Sequence, residues 1–410
     1  MPARSRPTHY IPRAMERTLD WMLGQGKVVL LTGARQVGKT TMLQRRLGGR
    51  FGYVTLDDMQ QLALARQDAP LFFQSHQWPL IIDEVQRAPE LFGAVKLLVD
   101  ADDAKGQVVL TGSQTYHLMK GVSESLAGRI RILEMPGLSL RELSGDGAPT
   151  AAFIPPAEVP AARDCPVDLW AHIQRGSLPE LQDAAIDWDA FYTDYVRSYL
   201  ERDVRDLVRV QDEIRFYNFM VACAARTAQV LNFSDIAATA DIDQKTAKAW
   251  LSILQASGIV HVLQPFFANI SKRVAKTPKL YFLDTGLVCH LARWTSPEAL
   301  RNGAQAGHIF ETFAVSETLK SHMNAKANLR DIWFYRDSAK NEIDLVIQQG
   351  RVLHPVEIKM AAAPRSDAAD AFRLLDDIPG YERGAGAIIC QTEKPRAFAR
   401  GVVAMPVWAV

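Results

Sequence analysis

The stretch KVVLLTGARQVGKTTMLQRRL, residues 27–47, decides the fold of this chain. Gly33 to Thr40 satisfy G-x-x-x-x-G-K-[ST] at every position, between an apolar run (KVVLL) and a helix-forming one (TMLQRRL). The two glycines let the backbone fold into a nest whose N–H groups face phosphate oxygens. Ala34, Arg35, Gln36 and Val37 form the body of that loop, and Thr41 continues it into the helix. Lys39 can reach β- and γ-phosphates, and the Thr40 hydroxyl can ligate Mg²⁺. ATP with Mg²⁺ is the expected ligand.

Working outward, short apolar runs alternate with helix-like stretches: YVTL (53–56), PLIID (79–83), QVVLT (107–111) and RILEM (131–135). Runs this continuously apolar suit strands covered on both faces, so a parallel α/β sheet is expected. LIIDE (80–84) ends in adjacent carboxylates, which a buried strand tolerates only beside a cation or water. Asp83 would hold Mg²⁺ through water, and Glu84 would polarise the water that attacks the γ-phosphate. Ser113 or Gln114, closing VVLTGSQ, could sense that phosphate. Arg129, between a helix and the next strand, could reach the nucleotide of a neighbouring subunit, with Arg131 as competitor.

At 410 residues, two or three domains are expected. A net charge of +1 exerts no global pull on nucleic acid, so DNA binding would need local patches. Four scattered cysteines without a CxxC pair speak against a zinc site or a disulfide framework and fit a reducing cytoplasm. MPARSRPTHYIPR lacks the apolar stretch of a signal peptide, and no run reaches membrane-spanning length, so no membrane partner is expected.

Residues 144–168, rich in Pro, Ala and Gly, read as a linker or long loop. The charged run YVRSYLERDVRDLVRV reads as a helix, with Glu201–Arg205 and Arg202–Asp206 pairs on a solvated face. In 233–263, Ser234 can cap a short helix, a second helix can run from near Asp243 to Ser257, Gly258 can close it, and IVHVL follows as a strand. That order outlines a winged helix-turn-helix. Lys245 and Lys248 near the second helix's start, with Lys272, Arg273, Lys276 and Lys279 beyond, are candidate DNA contacts.

Further on, strand alternation puts Glu342 and Asp344 opposite Ile343, Leu345 and Ile347, and pairs Glu357 with Lys359. Asp344 and Glu357 could bind Mg²⁺ while Lys359 orients a hydrolytic water, with Glu311 as a further acid. The plain alternative is the wet face of a strand.

The order of LTGARQVGKTT, YVTLDD, LIIDEVQ, LTGSQ, SLAGRI, SYLERDV, SKRVAKTPKLYFLDTGL, HIFETF and NEIDLV…VEIK resembles the AAA-type P-loop ATPases of bacteria and archaea with a C-terminal domain of unknown function. The resemblance implies an α/β AAA+ parallel-sheet core, a winged-helix-like middle and a small C-terminal α/β domain similar to PD-(D/E)xK, restriction-endonuclease-like nucleases. It also implies a homo-oligomer, a hexamer among the candidate sizes. Many AAA+ proteins place Asn at the sensor position, where this chain has Ser113-Gln114. The expected organisation is an ATPase core (1–143), a linker or lid (144–187), a helical and winged-helix-like region (188–300) and the nuclease-like domain (301–410). The expected function is an ATPase that binds DNA and remodels branched or forked forms. The alternatives are an ATP switch that binds a protein partner and an ATP-gated nuclease.

Overall fold

A computed structural model describes residues 10–112, 125–145, 151–205, 212–267 and 277–410. Each of the five apolar runs forms a strand within one residue of its expected span: β1 (Val28–Thr32), β2 (Gly52–Thr55), β3 (Leu80–Asp83), β4 (Val108–Thr111) and β5 (Ile130–Glu134). They pair in parallel in the order β2-β3-β4-β1-β5. Helices Glu16–Gln25, Lys39–Leu47, Met59–Gln67, Ala69–Gln74 and Glu90–Ala101 accompany the sheet.

The two faces of this sheet have different neighbours. Val28, Leu30, Leu80, Ile82 and Leu110 point into a core made within the N-terminal unit itself. Val29, Leu31, Ile81 and Val109 point the other way, into a core that continues through Tyr192, Trp250 and Phe310 to Ile389. Leu19 and Met22 of helix Glu16–Gln25 and Met42 and Leu43 of helix Lys39–Leu47 share that second core, which joins the sheet to the rest of the chain.

The middle of the chain is helical, with helices Trp188–Tyr199, Glu213–Ala224, Phe233–Thr239 and Gln244–Ala256. A single wide turn, Leu200–Val204, continues the first of them. Asn232, not Ser234, caps the helix at Phe233: its side-chain oxygen accepts the Asp235 N–H at 3.3 Å and the Ser234 hydroxyl at 2.6 Å. Asp243 caps the next helix and Gly258 follows it at φ +69°, both as expected. Strands β6 (Gln229–Val230), β7 (Val260–Leu263) and β8 (Lys279–Phe282) form an antiparallel sheet with β8 in the centre.

Helix Ala306–Asn324 carries the chain into the last unit. Glu317, Lys320, Ser321 and His322 are buried on it beside Phe310 and Phe313, so from Thr312 onward it is enclosed on all sides rather than amphipathic. A mixed sheet follows, built from β9 (Ile332–Arg336), β10 (Glu342–Gln349), β11 (Val352–Ile358), β12 (Glu382–Arg383), β13 (Gly386–Cys390), β14 (Arg396–Ala399) and β15 (Val402–Pro406). Its order is β14-β15-β13-β11-β10-β9, with β12 beside β11.

The expected alternation in β10 does not hold. Leu345 and Ile347 enter the large central core, whereas Ile343 enters a separate core with Val346 and Leu353. The pairing of β9 with β10 shifts between Ile343 and Val346, and such a bulge turns successive side chains off the two-residue repeat.

The stretch read as a linker is partly tied down. Among its described residues 151–168 there is no helix or strand. Phe153 is nonetheless buried, its N–H donating to Ser321 Oγ at 3.1 Å and its carbonyl lying 2.9 Å from His322 Nε2. Trp408 donates to the Arg163 carbonyl at 2.9 Å.

Candidate nucleotide site

β1 lies between β4 and β5, and the loop at its carboxyl end leads straight into helix Lys39–Leu47. Gly33 sits at φ +135° against β5's exit, where a Cβ would lie 2.2 Å from the Met135 carbonyl oxygen. Gly38, at φ +94°, starts the helix in the left-handed region. Lys39 is buried and its ammonium donates to the Gly33 and Ala34 carbonyls at 2.9 and 2.8 Å. Burial lowers the Lys39 pKa to about 8, against the opposing pull of Glu84 and Asp83.

β3 brings Asp83 to the same end of the sheet. The Thr40 hydroxyl donates to Asp83 Oδ2 at 2.8 Å, and the Tyr53 hydroxyl, from β2, donates to the same oxygen at 2.8 Å. Glu84 leaves the strand at φ +57°, which turns its carboxylate off the strand direction, and Gln86 Nε2 holds it. Burial raises the Glu84 pKa, as does the charge of Asp83, while the Gln86 hydrogen bond opposes them. Thr111 Oγ1, at the end of β4 between β1 and β3, is buried without a hydrogen-bond partner. Ser113 and Gln114, the expected sensors, lie outside the described residues.

Two arginines, Arg13 from outside the loop and Arg35 within it, tie the loop to its surroundings, and sequence reasoning assigned neither that role. Arg13 is buried: its guanidinium donates to the Val37 carbonyl at 2.7 Å, Glu142 Oε1 at 2.9 Å, and the Pro136 and Gly137 carbonyls at 2.7 and 3.1 Å. Glu142 also closes a capping box with Ser139 on helix Leu140–Leu143. Arg35 was expected to touch nucleotide, but its side chain is committed elsewhere: Nε and Nη2 grip both oxygens of Asp203, the latter at 3.0 Å. Asp203 lies in the wide turn Leu200–Val204 and is itself buried. Gly258 also abuts the loop, so that a Cβ there would lie 3.3 Å from Ala34 N.

Beside the loop, Tyr10, Arg13, Thr41, Gln44, Arg45 and Pro179 line a cavity of about 510 Å³. Arg129 is on the surface of the chain, where its guanidinium forks onto Asp100 at 2.5 and 3.0 Å. Arg131 is exposed on β5.

The candidate DNA residues separate. Lys245 and Lys248 are exposed, Lys248 lying 5.5 Å from the centre of the Phe233 ring. Asp212, Asp241 and Asp243 line the cleft at the same helix's start, which is therefore acidic as well as basic. Lys272, Arg273 and Lys276 lie outside the described residues, as does Asp206. Lys279 is corrected: as the first residue of β8 it is 3% exposed and sits among carboxylates, out of reach of a DNA backbone.

Those carboxylates are the expected C-terminal set. Glu311, Asp344, Glu357 and Lys359 do gather, joined by Glu342, although they come from helix Ala306–Asn324, β10 and β11. Among the described residues, no group of three or more His, Cys, Asp or Glu is arranged to hold a metal ion.

The sheet order and the loop with its paired Asp83 define the class: a P-loop ATPase domain of AAA type. Residues 25–144 match the AAA domain family; residues 167–298 and 306–410 match two domains of unknown function, DUF8612 and DUF4143. The chain is 30% identical over 358 residues to "Uncharacterized protein Rv2008c" of Mycobacterium tuberculosis and, equally, to "Uncharacterized protein Mb2031c" of Mycobacterium bovis. These alignments cover 86% of this chain and 75% of each relative, and the chain belongs to the family of these two proteins. A Signal Transduction ATPase with Numerous Domains (STAND) protein with a tetratricopeptide repeat sensor, from Pyrococcus horikoshii, aligns at 11% identity and a TM-score of 0.23. That alignment covers 80% of this chain, which spans half the length of the archaeal one. No helix among the described residues is long and apolar enough to cross a membrane.

Proposed function

We propose that the chain hydrolyses ATP with Mg²⁺ and transmits its nucleotide state to the middle and C-terminal units. The observation that carries this reading is the meeting of Thr40 and Asp83, 2.8 Å apart, beside the buried Lys39 ammonium. Thr40 and Asp83 would hold Mg²⁺, the hard cation that neutralises charge building on phosphate oxygens. The unpartnered Thr111 hydroxyl and the cavity beside the loop fit a nucleotide: one polar group lacks a partner, and the space suits a nucleoside. Lys39 would exchange its two carbonyl partners for phosphate oxygens. Glu84, held by Gln86, would orient water and accept its proton. Transmission would run through Arg35–Asp203 and through the Arg13–Glu142 pair to Leu140, whose N–H donates to Glu317 at 2.8 Å.

Purified protein should turn over ATP only with Mg²⁺, and Lys39→Ala should abolish turnover. Turnover retained in pure Lys39→Ala protein would sink the assignment. Arg129 can act on a neighbouring subunit's nucleotide only by leaving Asp100. An oligomer, as large as a hexamer, in which Arg129 acts in this way predicts turnover per subunit that rises with protein concentration.

A second reading, DNA binding with ATP-driven remodelling, is favoured by the helix pair Phe233–Thr239 and Gln244–Ala256 followed by antiparallel β7 and β8, a winged-helix outline. Lys245 and Lys248 would contact phosphate. Fluorescence anisotropy with duplex, forked and single-stranded DNA across a salt series tests it; no binding at low salt removes it. ATP turnover stimulated only by a cellular protein would instead favour the partner-binding switch.

A further inference from the structure

The carboxylates of the C-terminal unit have a cation among them, and it belongs to the chain. Lys279 Nζ lies 2.5 Å from Glu342 Oε1, 3.1 Å from Glu311 Oε1 and 3.8 Å from Asp344 Oδ1. The lysine is 3% exposed, and its ammonium lies 5.7 Å from the centre of the Phe334 ring. Its backbone is pinned, because β8 pairs with β6 through Val230 and with β7 through Leu263 at this residue. Two residues along the same strand, the Tyr281 hydroxyl donates to Glu311 Oε1 at 2.6 Å, so β8 grips that carboxylate at two points.

The remaining oxygens are largely taken. Asp344 Oδ2 accepts the Ile358 N–H at 2.8 Å, Lys359 Nζ holds Glu357 Oε1 at 2.5 Å, and Arg336 Nε lies 3.6 Å from Glu342 Oε2. Glu357 Oε2 is buried without a partner. Four carboxylates thus face Lys279, Lys359 and Arg336. A divalent ion bound at roughly 2.0–2.6 Å from the Glu311, Glu342 and Asp344 oxygens would collide with the ammonium that already touches two of them.

We propose that the ligand of this cluster is Lys279: its ammonium occupies the cation position, locks the middle sheet to the C-terminal sheet, and closes the cluster to divalent metal. This proposal stands apart from the ATPase reading, since it involves no residue of the nucleotide site.

The test is Mn²⁺ titration of the full-length, nucleotide-free chain by calorimetry. Wild-type protein should show no Mn²⁺ binding that Asp344→Asn removes, whereas Lys279→Met should gain at least roughly tenfold in Mn²⁺ affinity at such a site. Adding Asp344→Asn to that variant should remove the gain. Equal Mn²⁺ affinity in wild type and Lys279→Met, lost on Asp344→Asn, would overturn the proposal, and so would a folded Lys279→Met that gains nothing. Should Lys279→Met fail to fold, the wild-type chain still decides. Its melting temperature should be the same in EDTA and in Mn²⁺, and Asp344→Asn should lower it equally in both. A Mn²⁺-induced rise in wild type that Asp344→Asn abolishes would refute the lock.

Discussion

Arg13→Met keeps most of the side chain's length and removes its charge, and the structure says what that exposes. The pair with Glu142 is among the most enclosed in the molecule, both side chains being 2% exposed. Removing one partner of a buried pair costs about 3–5 kcal/mol, mostly through the charge left behind. Glu142 would keep the N–H groups of Ala14 and Ser139 and the Ser139 hydroxyl, which favours the low end, about 3 kcal/mol. The Val37, Pro136 and Gly137 carbonyls would also lose their donor, although the adjoining cavity admits water to the Val37 side. At about 2–4 °C per kcal/mol for a unit of this size, the melting transition of the ATPase unit should fall by roughly 6–12 °C.

The pH dependence separates this mechanism from simple loss of packing. In the wild type, burial raises the Glu142 pKa, but Arg13 and the backbone donors outweigh burial and hold it below the ordinary carboxylate value. Its stabilisation is therefore present at neutral pH and is lost as pH falls through the depressed folded value. In Arg13→Met, burial prevails and the pKa rises, so the penalty is full at high pH and shrinks on acidification. The stability gap between the two proteins should narrow from pH 7.5 to pH 5. Thermal melts followed by tryptophan fluorescence at both pH values measure it. A gap below about 1 kcal/mol, or one equally wide at pH 5, would refute the reasoning.

Three further outcomes are expected. Because Lys39 has a pKa of about 8 in the ligand-free site, affinity for ATP should fall roughly tenfold from pH 7.5 to 9 as the ammonium is lost; a flat profile with a fluorescent ATP analogue would contradict this. Glu84→Gln should leave ATP binding near wild type but lower turnover by roughly 10²–10⁴, measured as phosphate release, whereas unchanged turnover would remove Glu84 from the chemistry. Asp203→Asn leaves Arg35 with a neutral partner and should cost roughly 2–3 kcal/mol in a urea melt, and Arg35→Lys should not stand in for arginine because it lacks the fork that meets both oxygens.

What the sequence disclosed follows from how locally each feature is encoded. Phosphate binding is built from consecutive residues, so Gly33, Gly38, Lys39 and Thr40 could be read as a unit, and Asp83 from the apolar run before it. Arg13 meets Glu142 across 129 positions and Arg35 meets Asp203 across 168, and no local pattern records such pairs. Asp203 was hidden within LERDVRDLVRV, where charges every third or fourth residue read as a wet helix face. The wide turn at Leu200–Val204 turns that one aspartate inward. Lys279 stood among cations, but the continuous KLYFLD run was a signal that it begins a covered strand. In the linker, Phe153 and Ile154 were the apolar residues that marked an anchored segment. The Glu342–Asp344 face was obscured by the bulge in β10, since a register shift breaks the two-residue repeat from which strand faces are read.

The hydrogen bond from Leu140 to Glu317 has a consequence for synthesis. The two residues are 177 positions apart, and Lys320, three residues further on, donates to the Leu138 carbonyl at 2.9 Å. At about 5–20 residues per second, roughly 10–35 s pass between their emergence from the ribosome. For that interval the Leu140 N–H and the Leu138 carbonyl lack the Glu317 and Lys320 side chains that satisfy them. The N-terminal unit of this protein is made first and finished last: two of its buried backbone groups wait for side chains from helix Ala306–Asn324.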